Sequence, residues 1–277
     1  MTTNITACLV IYNEEGVIRR CLSSIRNVVD EILVVHDGPC DDRSLDICEE
    51  FGCRVRIGRR MGEAEPHRPS LLREVRTEWV LQIDADEFLS EGAGRGLPEL
   101  AQSGRANCYA LLWPIWNGRR YTTSKWPYKK ALYRKSAAQY LGFPHEEVRV
   151  AGTVAAVPLR LEHQPNYDNY SLKTVRTKWN RWLDIHARML LSHASWDVFP
   201  DNAQLEPHYA FIKDHPLLNC VPLFGYHLLA TVAVGGWREG IEGVKVGVFT
   251  SLYYAALCVR VWQLKRANRD IGRQPFA

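Results

Sequence analysis

Apolar and polar positions alternate along the first third of the chain in blocks of strand and helix length. Thr6-Ala7-Cys8-Leu9-Val10-Ile11 is an apolar, strand-like run that breaks into the polar Tyr12-Asn13-Glu14-Glu15. Val17, Ile18, Cys21, Leu22 and Ile25 then recur at helical spacing. Glu31 to Val35 reads as a second strand, followed by the turn-rich loop His36-Asp37-Gly38-Pro39-Cys40-Asp41-Asp42. A second helical pattern runs through Leu45, Ile47, Cys48 and Phe51 to Gly52, a C-cap candidate, and Cys53 to Ile57 is a third short strand. Alternating strand and helix predicts βαβ units and a mostly parallel sheet, an α/β fold. In such sheets ligands bind at the carboxyl ends of the strands.

The most informative strand is the one before residue 84. Trp79 to Ile83 is apolar and ends in Asp84, Asp86 and Glu87. Packed carboxylates repel one another and cost stability unless a cation joins them. Mg²⁺ or Mn²⁺ is a fitting partner, because hard cations take one or two carboxylates plus substrate phosphate oxygens. An acidic turn closing a strand is the plainer alternative. Both polar loops and this cluster sit at strand carboxyl ends, so they should converge on one edge.

Taken in order, V-I-Y-N-E-E, V-V-H-D-G-P-C-D-D and I-D-A-D-E resemble the motifs of family 2 glycosyltransferases of GT-A fold. Further along, His145-Glu146-Glu147-Val148, Leu161-Glu162-His163 and Gly236-Trp237-Arg238-Glu239-Gly240 resemble one subgroup, the lipopolysaccharide core β-1,4-glucosyltransferases and their relatives. The resemblance implies a metal-dependent, inverting transfer of a sugar from a nucleotide sugar, UDP-glucose first, to a glycan or lipid-linked acceptor. A sugar-phosphate nucleotidyltransferase is a second enzymatic reading, but it should open with a Gly-rich phosphate loop. A degenerate membrane-associated scaffold is the non-enzymatic one.

The resemblance also implies residue roles. Tyr12 would lie against the nucleotide base, and Glu14 would accept from ribose hydroxyls. His36 stands where relatives carry Asp, with Asp37 as its substitute in nucleotide contact. Arg68 matches the basic residue at the diphosphate, although Pro69 replaces an expected Asn, while Arg59 and Arg60 read as a solvated basic loop. Asp84 would hold ribose, Asp86 and His163 the metal, and Glu146 would be the general base with Glu147 as fallback. A buried structural role is the competing reading for His163. Trp116 and Trp126, in an aromatic stretch, are acceptor-side candidates because aromatic rings match the C–H faces of sugars.

Composition adjusts this picture little. The 277 residues are 46% hydrophobic and 24% charged, which suits a folded α/β enzyme and excludes a disordered chain. A formal net charge of +4 is compatible with phosphate ligands or an anionic membrane, and too weak to argue for nucleic acid. The eight cysteines are scattered, without zinc-type spacing, and the start MTTNIT carries no secretory pattern, so a cytoplasmic location with reduced thiols is expected. The expected organisation is a catalytic domain over 1–165 and a helical region over 166–277. In that region Leu217 to Val234 and Val244 to Trp262 are apolar, with Lys265, Arg266 and Arg269 following. Such helices suit a membrane interface, peripheral on the inner face of the cell membrane, or a hairpin packed on the catalytic domain or on a second subunit of a homo-oligomer.

Overall fold

The computed structural model describes residues 3–140, 147–192 and 207–267. The chain divides into two compact units, Met1–Pro114 with Tyr128–Pro165, and Ile115–Pro127 with Asn166–Ala277.

The first unit is built on β1 (Ile5–Ile11), α1 (Ile18–Ile25), β2 (Glu31–Asp37), α2 (Ser44–Glu50), β3 (Arg54–Gly58), α3 (Arg68–Glu74), β4 (Trp79–Gln82) and β5 (Glu87–Leu89). It continues with α4 (Glu91–Ser103), β6 (Cys108–Leu112), β7 (Tyr128–Arg134), the short pair β8 (Ala138–Gln139) and β9 (Arg149–Val150), and β10 (Val154–His163). Eight strands form one sheet in the order β3-β2-β1-β4-β7-β6-β10-β5. The β3-β2-β1-β4 half is parallel, and β7 enters antiparallel between β4 and β6. A mostly parallel sheet flanked by helices, with helices at the C-terminal end of the chain, is the architecture the resemblance implies.

Both faces of the parallel half are covered, which is why its strands read as unbroken apolar runs. Ile5, Ala7, Leu9 and Ile11 alternate onto one face, against Ile18, Cys21, Leu22 and Ile25 of α1 and Ala93 and Leu97 of α4. Cys8, Leu33, Val35 and Val80 line the other face with Leu71 and Val75. Gly52 takes φ +68°, the left-handed conformation expected after α2. One boundary differs from the sequence reading. His36 and Asp37 are not loop residues but the last two of β2, in register with Ile57 and Gly58 of β3 and buried between neighbours.

The second unit contains α5 (Leu172–Thr174), which leads through a wide turn of helix at Val175–Trp179 into α6 (Asn180–Ser192). It also holds α7 (Pro207–Asp214), α8 (Pro216–Ala233) and α9 (Ile241–Arg266). α8 and α9 form an antiparallel hairpin closed by a turn at Gly236–Glu239. Gly243 lies at the crossing; a Cβ there would fall 1.8 Å from the Gly236 carbonyl oxygen, so only glycine fits. α6 packs on α9, where Arg260 Nε bonds Asp184 Oδ1 at 3.0 Å. The Glu239 carboxylate accepts from the Ser124 and Lys125 amides and ties the hairpin turn to the 115–127 segment.

Candidate functional site at the strand ends

The acidic cluster is assembled by a tight turn after β4. The Glu87 amide donates to the Asp84 carbonyl at 3.0 Å, and the Asp84 amide donates to Glu87 Oε2 at 2.8 Å. β5 then pairs antiparallel with β10, setting His163 opposite Glu87. That register brings His163 Nε2 within 3.3 Å of Asp86 Oδ2. Trp113 stacks on the His163 ring, with centroids 4.2 Å apart, and donates its indole N–H to Glu87 Oε1 at 2.5 Å.

Two cations of the chain itself close on these carboxylates. Lys129 Nζ donates to Asp84 Oδ2 at 2.7 Å and to both oxygens of Glu87 at 2.7 and 2.8 Å. Arg68 Nη2 donates to Asp84 Oδ1 at 3.2 Å. Burial opposes ionisation of Asp84, but Lys129 and Arg68 outweigh it and hold the carboxyl well below its ordinary range. Glu87 goes the other way. It has no exposed surface, and burial with the neighbouring Asp84 and Asp86 pushes its carboxyl up against the opposing pull of Lys129 and His163. Lys129 is largely shielded too, yet Asp84 and Glu87 keep its ammonium charged, with its pKa above the ordinary lysine value.

A second cluster lies at the ends of β1 and β2. Asp37 is buried and accepts from Arg60 Nη1 at 2.5 Å, His67 Nε2 at 2.8 Å, and the amides of Met61 at 2.5 Å and Gly62 at 2.8 Å. Burial again opposes ionisation, and the His67 bond and the two amides outweigh it, so the carboxyl sits below its usual value. His36 is fully buried; its Nδ1 lies 2.7 Å from the Gly38 carbonyl oxygen, and its Nε2 accepts from the Asn13 amide at 3.3 Å. This pattern requires the Nδ1–H tautomer. Asn13 takes φ +52°, and its side-chain oxygen accepts from the Asp41 amide at 3.0 Å. The His36 bond therefore helps hold a left-handed turn beside Tyr12.

These contacts revise several sequence expectations. Both His36 nitrogens are engaged by the main chain, and Asp37 is saturated by the 60–67 segment. Both residues thus have partners within the chain at the end of β2. Arg60 is not a solvated loop residue: its guanidinium carbon lies 3.4 Å from the Tyr12 ring centroid. Tyr12 remains partly exposed at the strand end. The Glu14 amide donates to Ser44 Oγ at 2.6 Å, and its carbonyl accepts from Val17 and Ile18 at the entry to α1. Pro69 occupies the first turn of α3, where a missing N–H costs nothing, and it leaves Arg68 at Asp84.

Glu146 lies outside the described residues. Glu147 is exposed and pairs with Lys130 Nζ at 3.3 Å, not with the acidic cluster. Trp116 and Trp126 belong to the second unit, Trp116 edge-on to Tyr121 at 5.0 Å. The sequence reading set Glu87 in the acidic cluster but did not give it Lys129 and Trp113 as partners. A signal was present in Tyr128-Lys129-Lys130-Ala131-Leu132-Tyr133: adjacent lysines on a strand point to opposite faces, so one of them must turn inward.

Among the described residues, no three His, Cys, Asp or Glu side chains are grouped to hold an ion. A donor pair does fit. Two ligands at right angles on an ion with bonds of ~2.1 Å stand ~3 Å apart, close to the 3.3 Å between His163 Nε2 and Asp86 Oδ2. Phosphate oxygens would have to complete such a site. Asp84 has both oxygens committed to Arg68 and Lys129.

Comparison with known proteins gives a family match over the same region. The sequence model described as Glycosyl transferase family 2 matches residues 6–155. An uncharacterized glycosyltransferase of Rickettsia bellii (strain RML369-C) is 33% identical over 92 residues, 33% of this chain and 30% of the relative. Glycosyltransferase SunS of Bacillus phage SPbeta is 28% identical over 92 residues, 32% of this chain and 22% of the relative. The match therefore spans less than a third of the length of either relative. Among solved structures, S. aureus TarS 1-349 in complex with UDP aligns over 97% of this chain and 92% of its own, at 14% identity and a TM-score of 0.46. Glucosyl-3-phosphoglycerate synthase from Mycobacterium tuberculosis, in complex with Mn²⁺, UDP and phosphoglyceric acid, aligns over 39% of this chain and 43% of its own, at 18% identity and a TM-score of 0.33.

Proposed function

The chain belongs to glycosyl transferase family 2, and from that premise we propose that it transfers a sugar, with inversion, from a nucleoside-diphosphate sugar to an acceptor hydroxyl. The observation that carries this reading is the convergence of Asp84, Asp86, Glu87, Arg68, Lys129 and His163 at one strand-end edge. That edge is where an α/β sheet of this kind takes its ligand.

Tyr12 and Arg60 would form the base side of the donor site, with the Asn13 turn held by His36. Arg68 and Lys129 would counter negative charge on the donor's phosphates while keeping Asp84 in place for ribose or sugar hydroxyls. Asp86 and His163 would hold Mg²⁺ or Mn²⁺, which when bound would neutralise the leaving diphosphate. Glu146 is the proposed base, with Glu147 the alternative. It accepts the acceptor hydroxyl proton as that oxygen bonds the anomeric carbon and the bond to the diphosphate breaks. Trp116 and Trp126 are the proposed acceptor-side rings. UDP-glucose is the first donor to try, and the late motifs favour a glycan or lipid-linked acceptor in cell-envelope polysaccharide assembly.

A non-catalytic reading draws on one observation: the protein's own Arg68 and Lys129 already pair with Asp84 and Glu87. A panel of nucleotide sugars incubated with the full chain and Mn²⁺ separates the two. Release of nucleoside diphosphate from at least one donor, lost in Asp86→Ala, is the expected outcome. No release from any donor by folded protein that also fails to bind the diphosphate favours the scaffold.

A further inference from the structure

The second unit carries an apolar surface that nothing else described in it covers. α8 has no Asp, Glu, Lys or Arg anywhere in its 18 residues. Its face away from α9 presents Leu218, Val221, Leu229 and Val232, and Val221 and Leu229 are 80% and 70% exposed. Gly225 falls in the same row, and a Cβ there would meet nothing within 4 Å. The surface continues around the hairpin turn through Val234, Trp237, Ile241 and Val244, with Ile241 82% exposed. Monomeric soluble proteins seldom leave so contiguous an apolar patch in water.

The charge of the unit that carries the patch selects its partner. The described residues of the second unit carry 14 Lys and Arg against five Asp and Glu, although the whole chain is only +4. An Arg–Trp pair marks each end of the hairpin: Arg238 over Trp237 at 5.4 Å, and Arg266 over Trp262 at 5.3 Å. Lys213 and Lys265 join the second pair, with Lys265 Nζ donating to the Lys213 carbonyl at 2.8 Å. Tryptophan and basic residues flanking an apolar face are the anchors of an element lying at the water–bilayer boundary. Two copies meeting through this face would bring like charge together, whereas an anionic bilayer attracts it.

By length and composition alone, α8 and α9 are each long and apolar enough to cross a bilayer. Their packing favours a different placement. α9 is committed on its inner side to ion pairs with Asp168 and Asp184, through Lys245 at 3.2 Å and Arg260 at 3.0 Å. The hairpin turn is tied to the 115–127 segment through Glu239. The hairpin is thus one wall of a folded unit, and the outer face of α8 stays exposed among the described residues.

We propose that the outer face of α8, with the Val234–Val244 turn, docks flat on an anionic phospholipid bilayer. The inference is independent of the sugar-transfer reading, because its test reads no turnover. The full chain is floated with vesicles of phosphatidylcholine alone and with added phosphatidylglycerol, beside the double variant Val221→Glu/Leu229→Glu. Both positions are exposed, so the variant should keep its helical circular dichroism. Flotation with the anionic vesicles, at least about tenfold stronger than with neutral ones or with the variant, is expected. Gly225→Glu, which adds charge without a clash, should reproduce the loss. Equal binding to neutral and anionic vesicles overturns the proposal, as does anionic-vesicle binding that survives both sets of substitutions. If light scattering instead shows a dimer that the double variant splits, and no vesicle binds, the face is a contact between copies and the bilayer assignment falls.

Discussion

Lys129 Nζ lies 2.7 and 2.8 Å from the two carboxylate oxygens of Glu87, a side chain with no exposed surface. The same ammonium reaches Asp84 at 2.7 Å, so one cation from β7 pairs with both Asp84 and Glu87. Breaking a buried pair from one side leaves an uncompensated charge, which costs more than the pair contributes.

Lys129→Met should therefore destabilise the protein by about 3 kcal/mol at neutral pH in urea unfolding. The sign of the pH effect follows from Glu87, whose carboxyl is already raised by burial and by Asp84 and Asp86. A raised carboxyl favours the fold on the acid side and weakens it as pH rises through the folded value. The penalty should shrink on acidification, and Mn²⁺ should raise the melting temperature of the variant more than that of the parent. A pH-independent penalty would contradict the pairing.

Asp37→Asn tests the second cluster. The Asp37 carboxyl sits below its ordinary value because the His67 bond and the Met61 and Gly62 amides outweigh burial. A depressed carboxyl contributes stability that is present above the unfolded value of ~3.9 and is lost as pH falls through the folded value. The substitution should cost about 3 kcal/mol at neutral pH, and the gap to the parent should close below about pH 4. Equal stability at neutral pH would show that the four donors do not depend on the charge.

The His36 ring should be found as the Nδ1–H tautomer by nitrogen-15 NMR, since Nδ1 faces the Gly38 carbonyl and Nε2 accepts from Asn13. His36→Asp would set a carboxylate against that carbonyl and should lower stability. A ring protonated on Nε2 alone would remove the contact that holds Asn13.

The unbroken apolar runs of β1, β2 and β4 were legible in the sequence because their apolar residues are buried on both faces. The face of α1 was legible because Ile18, Cys21, Leu22 and Ile25 keep helical spacing. His36 and Asp37 were not, because their burial comes from pairing with β3, a partner no local pattern names. Arg60 looked solvated because its two partners, Tyr12 and Asp37, are distant in sequence. The need for a cation at Asp84 and Glu87 was readable from charge alone. That Lys129 of β7 would meet it depends on an antiparallel insertion that periodicity does not reveal.

Glu146→Gln separates chemistry from binding. It keeps the side-chain shape and removes the proton acceptor, so transfer should fall about 10²–10⁴-fold while donor affinity holds. If Glu147→Gln removes transfer and Glu146→Gln does not, the two roles are exchanged.

The most direct test is calorimetric titration of UDP into the full chain, with and without Mn²⁺, beside Asp86→Ala. The parent should bind UDP more tightly with Mn²⁺. The variant, folded as judged by circular dichroism, should lose that gain by more than the roughly 10–100-fold that losing an outer partner of a metal site costs. Mn²⁺-dependent affinity undiminished in Asp86→Ala, or no UDP binding by the folded parent under either condition, would contradict the account.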